Sequence, residues 1–249
     1  MKKIVIINQK GGVGKTTTVV NLGDALTRQK KKVLLIDLDP QAHLSYSLGI
    51  QAHELVHTVY ELIKGESRFK ETLITRGKLH LIPSSLELAG SDLELGGIAG
   101  REFLLKEALS GVSRYDYVFI DCPPSLNLLT LNALVFAREI FIPVQAEYLA
   151  LQGMSKLLQT IDVVKNRLNK ELLVSGVIGT RFDKRKLLNR EIIEQIDQYF
   201  AEKLFKTLIR ENVSIAEAPS HGKTIFEYKA SSSGAEDYRA LAQEIIKRK

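Results

Sequence analysis

Short, continuously apolar and β-branched runs recur along the chain, separated by longer segments whose apolar positions repeat every three to four residues. The runs predict strands at Lys3–Ile7, Val33–Ile36, Leu79–Ile82, Tyr117–Ile120, Glu139–Val144 and Val174–Gly179, with a weaker one at Phe205–Ile209. The helical periods fall near Thr16–Gln29, Thr58–Lys64, Arg101–Leu109, Ser125–Ala137, Gly153–Leu168, Asn189–Lys203 and Ala235–Lys247. Val33-Leu34-Leu35-Ile36 and Val118-Phe119-Ile120 have no polar alternation, as expected of strands covered on both faces. Strand and helix alternating at this spacing predict βαβ units: an α/β fold, a mainly parallel sheet with helices on both faces. No internal repeat and no Ser/Gly/Pro-rich linker divides the chain, so one domain over 1–249 is expected.

Composition narrows the function classes. The 249 residues are 45% hydrophobic and 26% charged, which excludes a disordered chain. Cys122 is the only cysteine, so neither an intramolecular disulfide nor a cysteine-based metal cage is available. No run is long and apolar enough for a secretory leader or a membrane span; the best candidate, Tyr117 to Phe136, contains Asp121 and two prolines. A cytoplasmic protein is expected.

The net charge of +6 is uneven. Residues 165–210 hold 11 basic and 6 acidic side chains, so most of the surplus lies in 46 consecutive residues. Charge runs are usually solvated surface; a run this concentrated also suits a polyanion.

Candidate chemistry clusters where strands end and helices begin, the place where open α/β sheets bind ligands. The first strand runs into Lys10-Gly11-Gly12-Val13-Gly14-Lys15-Thr16-Thr17 and then a helix. Glycines there let backbone N–H groups surround phosphate oxygens, and the helix N-terminus adds favourable partial charge. Lys15 is placed to reach the β- and γ-phosphates, and the Thr16 hydroxyl to ligate Mg²⁺. The ordinary P-loop has glycine where Gln9 stands; here a second lysine, Lys10, opens the loop. Two further strands end in acids: Asp37-Leu38-Asp39 after the second, and Asp121 before Cys122-Pro123-Pro124. Asp121 suits the role of an acid that holds Mg²⁺ through water. Asp37 and Asp39, two apart on extended chain, should face opposite ways.

Lys10–Thr17 resembles the deviant Walker A box of the ParA/Soj and MinD superfamily. VLLIDLDPQ (33–41), YDYVFIDCPPSL (115–126), PVQAEYLAL (143–151) and EAPSHGK (217–223) resemble ParA/Soj in the same order. The resemblance implies an ATPase that uses ATP and Mg²⁺, turns over slowly, dimerises on ATP and is reset by a ParB-type centromere-binding partner. It also implies sequence-independent binding of double-stranded DNA and a nucleoid-associated ATP state. Lys10 would be the signature lysine that reaches a partner subunit's ATP; Asp39 would orient the attacking water, and Asp37 would lie near the Mg²⁺ water shell. Arg210 and Asn212 would approach the adenine. Arg185, within Phe182-Asp-Lys-Arg-Lys186, matches a DNA-contact position, with Lys184, Lys186 and Arg190 alongside. A second such position, an arginine in relatives, is Ser214 here, and Glu211 adds an acid beside it. The alternative is a MinD-like or cargo-positioning ATPase on a membrane or protein complex. The terminal Leu241, Ile245 and Ile246 read instead as a packed helix face, so no stable membrane association is expected.

Overall fold

A computed structural model describes residues 1–147 and 154–248. Among the described residues, seven strands form one sheet in the order β3-β4-β2-β5-β1-β6-β7. They are β1 (Lys2–Ile6), β2 (Val33–Asp37), β3 (Ile74–Arg76), β4 (Leu79–Ile82), β5 (Tyr117–Asp121), β6 (Glu139–Gln145) and β7 (Leu173–Thr180). All neighbours are parallel except the hairpin pair β3 and β4. Among the described residues the helices are α1 (Lys15–Arg28), α2 (His43–Ser47), α3 (Val59–Lys64), α4 (Phe69–Thr72), α5 (Ser91–Glu94) and α6 (Leu104–Ala108). They continue with α7 (Leu128–Phe136), α8 (Met154–Arg167), α9 (Leu187–Phe200), α10 (Val213–Glu217), α11 (Ile225–Lys229) and α12 (Ser233–Lys247).

The period-two geometry of the strands builds a core on each face. Along β1 and just beyond it, Val5 and Ile7 point into a core roofed by α3, α6, α7, α8 and α9, while Ile4 and Ile6 point into one roofed by α1 and α12. Both faces are therefore dry, and the central strands β2 and β5 are buried at every position. The terminal helix places Leu241 and Ile245 in the second core, as its apolar stripe predicts, but Ile246, expected on the same packed face, is exposed because it lies one position round the helix from Ile245. No described helix is long and apolar enough to cross a membrane.

The six firm strand expectations hold to within one residue at either end. The Phe205–Ile209 expectation does not. That segment runs beside β7, with Phe205 N–H donating to Val177 C=O at 2.9 Å and Ile209 N–H to Gly179 C=O at 2.8 Å, but it pairs only through isolated bridges at Leu204 and Arg210. The edge strand β3 carries no alternation long enough to read, and was not expected. Arg101–Leu109 splits into a 3₁₀ turn, Arg101–Phe103, and the short α6. Helix α7 begins at Leu128, three residues after the predicted start, because Pro123-Pro124 hold the preceding chain extended and Asn127 caps the helix by accepting from Thr130 N–H. Part of the 143–151 block, and the Gly153 start of the predicted Gly153–Leu168 helix, lie outside the described residues.

Candidate nucleotide site

The loop between β1 and α1 takes its shape from its glycines. Gly12 at φ +74° and Gly14 at φ +90° adopt the left-handed conformation that any Cβ disfavours, and open space surrounds Gly11 and Gly12. Chain thus turns sharply into α1 with its first N–H groups unpartnered within the helix and directed toward the loop. Thr180, at the end of β7, pins the loop by donating to Val13 C=O at 2.8 Å. Asn8 ties its start to β6, donating to Pro143 C=O at 2.8 Å and accepting from Lys10 N–H at 3.0 Å.

Lys15 and Lys10 sit in contrasting surroundings. Lys15 is buried, and its Nζ donates to Lys10 C=O at 3.3 Å across the loop. Burial lowers its pKa, and the nearby Asp121 and Asp39 oppose that shift. An ammonium held in this way gains most from an anion placed in the loop. Lys10 reaches outward instead, its half-exposed Nζ resting 3.1 Å from Glu147 Oε2. An exposed pair of this kind contributes little and separates easily.

The acids converge on the loop because parallel register puts strand ends level. Asp37 pairs with Asp121 across β2 and β5, and Asp121 pairs with Ile6 across β5 and β1. Thr16 Oγ1 donates to Asp121 Oδ2 at 2.6 Å, while Asp121 Oδ1 is buried and has no hydrogen-bond partner among the described residues. Burial, then the neighbouring Asp37, holds the Asp121 carboxyl well above the usual carboxylate range. Asp37 is pushed up to about 7, again first by burial, although Ser45 N–H (2.9 Å) and Oγ (2.8 Å) both donate to its Oδ2. Two buried acids side by side, with the Lys15 ammonium alone nearby to offset them among the described residues, describe a place built for a further cation. No described group of three His, Cys, Asp or Glu could cage a metal. A hydroxyl, a carboxylate and open space are what Mg²⁺ needs when waters and phosphate oxygens supply its remaining ligands. The residues present fit it.

Asp39 lies just past β2, partly exposed. Its N–H donates to Asp37 Oδ1 at 3.2 Å, its C=O accepts from Ser84 Oγ at 2.6 Å, and its Oδ1 accepts from Gln41 N–H at 3.0 Å. The carboxylate is fixed in direction with one oxygen uncommitted.

A cavity of about 530 Å³ opens on the far side of the loop, between Gly12–Gly14 and the segment 209–219, with Tyr238 behind. Arg210 and Asn212 both line it, but neither side chain is free to swing. Asn212 caps α10 and donates to Ser233 Oγ at 2.7 Å. The Arg210 guanidinium is turned to α12, with Nη2 donating to Asp237 Oδ1 at 2.7 Å and to Glu236 Oε2 at 3.1 Å. At Arg210 the cavity is thus offered chiefly backbone.

The basic segment follows β7 on the same end of the sheet. Lys184, Arg185, Lys186 and Arg190 are all exposed. Arg185 lies over Asp183, with Nη2 donating at 2.8 Å, and Glu211 takes both Arg181 (3.1 Å) and Lys186 (3.5 Å).

Against known proteins, a family model described as "AAA domain" matches residues 1–174. The sporulation initiation inhibitor protein Soj of Bacillus subtilis is 46% identical over 98% of both chains. The chain belongs to the ParA/Soj family of ATPases. Within that family the chromosome-partitioning ATPase Soj of Treponema pallidum is also 46% identical, over 99% of this chain and 98% of its own. Among solved structures, cobyrinic acid a,c-diamide synthase from Mycobacterium smegmatis with bound ADP and magnesium superposes with TM-score 0.87 at 35% identity, over 99% and 94% of the two chains. A putative plasmid partition protein from Borrelia burgdorferi bound to AMPPNP superposes with TM-score 0.83 at 28% identity, over 100% and 99%.

Family membership leaves three contributors that no motif marked. Thr180 holds the loop, Ser45 orients Asp37, and Asn8 sets the direction of Lys10. Thr180 and Asn8 lie within two residues of strand ends, where a search for polar residues would have met them. Ser45 lies inside an otherwise unremarkable α2, and nothing in the local sequence points to it.

Proposed function

We propose that the chain is a partition ATPase that binds ATP with Mg²⁺, dimerises, coats double-stranded DNA without sequence preference, and is reset by slow hydrolysis. Chromosome or plasmid would be the cargo, a ParB-type centromere-binding protein the accelerating partner, and the nucleoid the location of the ATP state. The observation that carries the ATPase reading is the Thr16–Asp121 pair with Asp121 Oδ1 left buried and unpartnered beside a left-handed glycine loop.

In this reading the loop N–H groups and Lys15 hold the phosphates. Thr16, through its hydroxyl, and Asp121, through water and with Asp37 behind it, would hold Mg²⁺. Bound Mg²⁺ supplies charge neutralisation on the phosphate oxygens. The fixed carboxylate of Asp39 accepts a hydrogen bond from the attacking water and sets its direction. Lys10 leaves Glu147 and reaches the phosphates held by the second subunit, adding charge where it develops, in the manner of an arginine finger. Arg210 backbone and Asn212 surround the base and sugar. Lys184, Arg185, Lys186 and Arg190 meet DNA phosphates.

Three outcomes test the scheme. Lys15→Ala abolishes nucleotide binding in an equilibrium titration. Lys10→Ala keeps nucleotide binding but elutes as a monomer with ATP, and normal dimerisation would refute its role. Asp39→Ala with ATP binds random-sequence duplex DNA in a salt-dependent manner. A dimer of that variant that ignores DNA even at low salt overturns the partition reading and favours a cargo-positioning ATPase.

A further inference from the structure

At the opposite end of the sheet from the nucleotide site, three separate turns bring five cations around one hollow of about 510 Å³. Lys30, Lys31 and Lys32 come from the turn between α1 and β2, Lys78 from the hairpin entering β4, and Arg114 from the segment before β5. None of the five forms an ion pair among the described residues. The adjoining carboxylate, Asp116, is occupied by backbone: its Oδ2 accepts from Lys32 N–H at 2.8 Å. Five like charges gathered on a concave surface repel one another unless an anion joins them.

The hollow has a built floor. Tyr115, nearly fully buried, places its Oη 2.6 Å from His80 Nδ1, and Arg114 Nη2 donates to the same Oη at 3.1 Å. The two rings meet edge to face, and the guanidinium lies over the Tyr115 ring. Burial and the adjacent Arg114 favour neutral His80, and Arg114 Nη2 also lies 3.5 Å from its Nδ1. The guanidinium is thereby oriented before any ligand arrives, which is how arginine meets phosphate oxygens in pairs. The neighbouring turn is also constrained. Helix α1 ends with Lys30 N–H donating to Thr27 C=O and Lys31 N–H to Leu26 C=O, a Schellman closure. Lys30 sits at its left-handed position, φ +62°, where glycine is the usual residue.

We propose that this hollow binds a small anion carrying a chain of three or more phosphates, as in a nucleoside polyphosphate or inorganic polyphosphate. Its volume falls in the range of small-molecule sites, and its cations line a concavity, whereas a duplex presents its phosphates along a convex ridge. The site lies away from Lys15 and Asp121, so its ligand is a second one, separate from the nucleotide at the loop.

The test is titration calorimetry of the full chain, saturated with ADP in metal-free buffer, against tripolyphosphate, with sulfate at matched ionic strength as reference. One tripolyphosphate per chain is expected, bound at least tenfold tighter than sulfate. The double variant Lys78→Gln/Arg114→Gln should lose at least tenfold, with duplex-DNA retention unchanged. Lys31→Gln/Lys78→Gln, which leaves the Arg114–Tyr115 contact intact, should lose a similar amount and serves if the first variant melts early. A nucleoside tetraphosphate arm then tells a nucleotide from a bare polyphosphate, either of which supports the site. Binding no tighter than sulfate, or stoichiometry above one that survives in both variants, overturns the proposal. Variants that lose DNA retention but keep tripolyphosphate overturn it in favour of a second duplex surface.

Discussion

Glu211 holds two cations of the basic segment at once, Arg181 at 3.1 Å and Lys186 at 3.5 Å, and those cations hold its carboxyl below the usual range. In a DNA-coating protein it would act as a built-in attenuator, since each cation it occupies is unavailable to a phosphate. Glu211→Gln should therefore tighten duplex binding about three- to tenfold at moderate salt and steepen the logarithmic salt dependence by roughly one to two phosphate contacts, read in a salt-titrated binding assay. Sequence announced Glu211 as an intrusive charge; its two partners come from chain thirty and twenty-five residues away and could not be read locally. Arg210 teaches the converse. Its position in the family resemblance pointed to the nucleotide, yet Asp237 and Glu236 on α12 claim the guanidinium. Arg210→Ala should cost about 1–2 kcal/mol of stability, discounted because the arginine is partly exposed, and should leave nucleotide affinity within a few fold. Denaturant titration and nucleotide titration on the same variant separate the two effects.

At the level of elements, β7 shows why Phe205–Ile209 is not an eighth strand. Gly176 leaves a hollow in which the Phe205 and Phe141 rings meet edge to face with centroids 5.2 Å apart. A Cβ on Gly176 would come within 2.8 Å of Phe141, and closer still to Phe205. The segment is thus anchored through a ring inserted against the strand, not through a regular hydrogen-bond ladder. Period-two patterning does not distinguish the two arrangements, because each alternates inward and outward residues. Gly176→Ala is expected to destabilise the fold by about 1–3 kcal/mol through overpacking, seen as a lowered denaturation midpoint with unchanged slope. The long helices and central strands were legible because burial on two faces leaves long unbroken signals. Short elements such as β3, α2 and α4 were not, since three to five residues carry too little periodicity and tertiary contacts decide them.

For the molecule as a whole, site and stability are coupled through the buried acids at the ends of β2 and β5. A ligand that binds only the folded state adds about 2.7 kcal/mol when present at a hundred times its dissociation constant. Mg²⁺ with ATP should therefore raise the melting temperature well beyond ATP alone. In Asp121→Asn the additional Mg²⁺ increment should largely vanish while the apo protein melts no lower, because the amide removes a buried acid crowded against that of Asp37. Differential scanning fluorimetry with and without Mg²⁺ reads both. The glycine loop and the acids at the strand ends were legible from their boxes. The order in which strands lie side by side, which sets Asp37 beside Asp121, followed only from the fold.

The cavity behind the loop has one further consequence, for the chain as it is being made. Its loop side, the phosphate end in the proposed reading, is drawn from residues 12–17, but its opposite wall comes from Thr180, the segment 209–219 and Tyr238. During synthesis, the glycine loop and its acids leave the ribosome long before the wall that completes the cavity. A nascent chain halted before residue 209 would display the loop with no base-side enclosure, so nucleotide capture becomes a late event in biogenesis. Ribosome-bound chains of increasing length should gain affinity for ATP in one step, after the last turns of α12 have emerged.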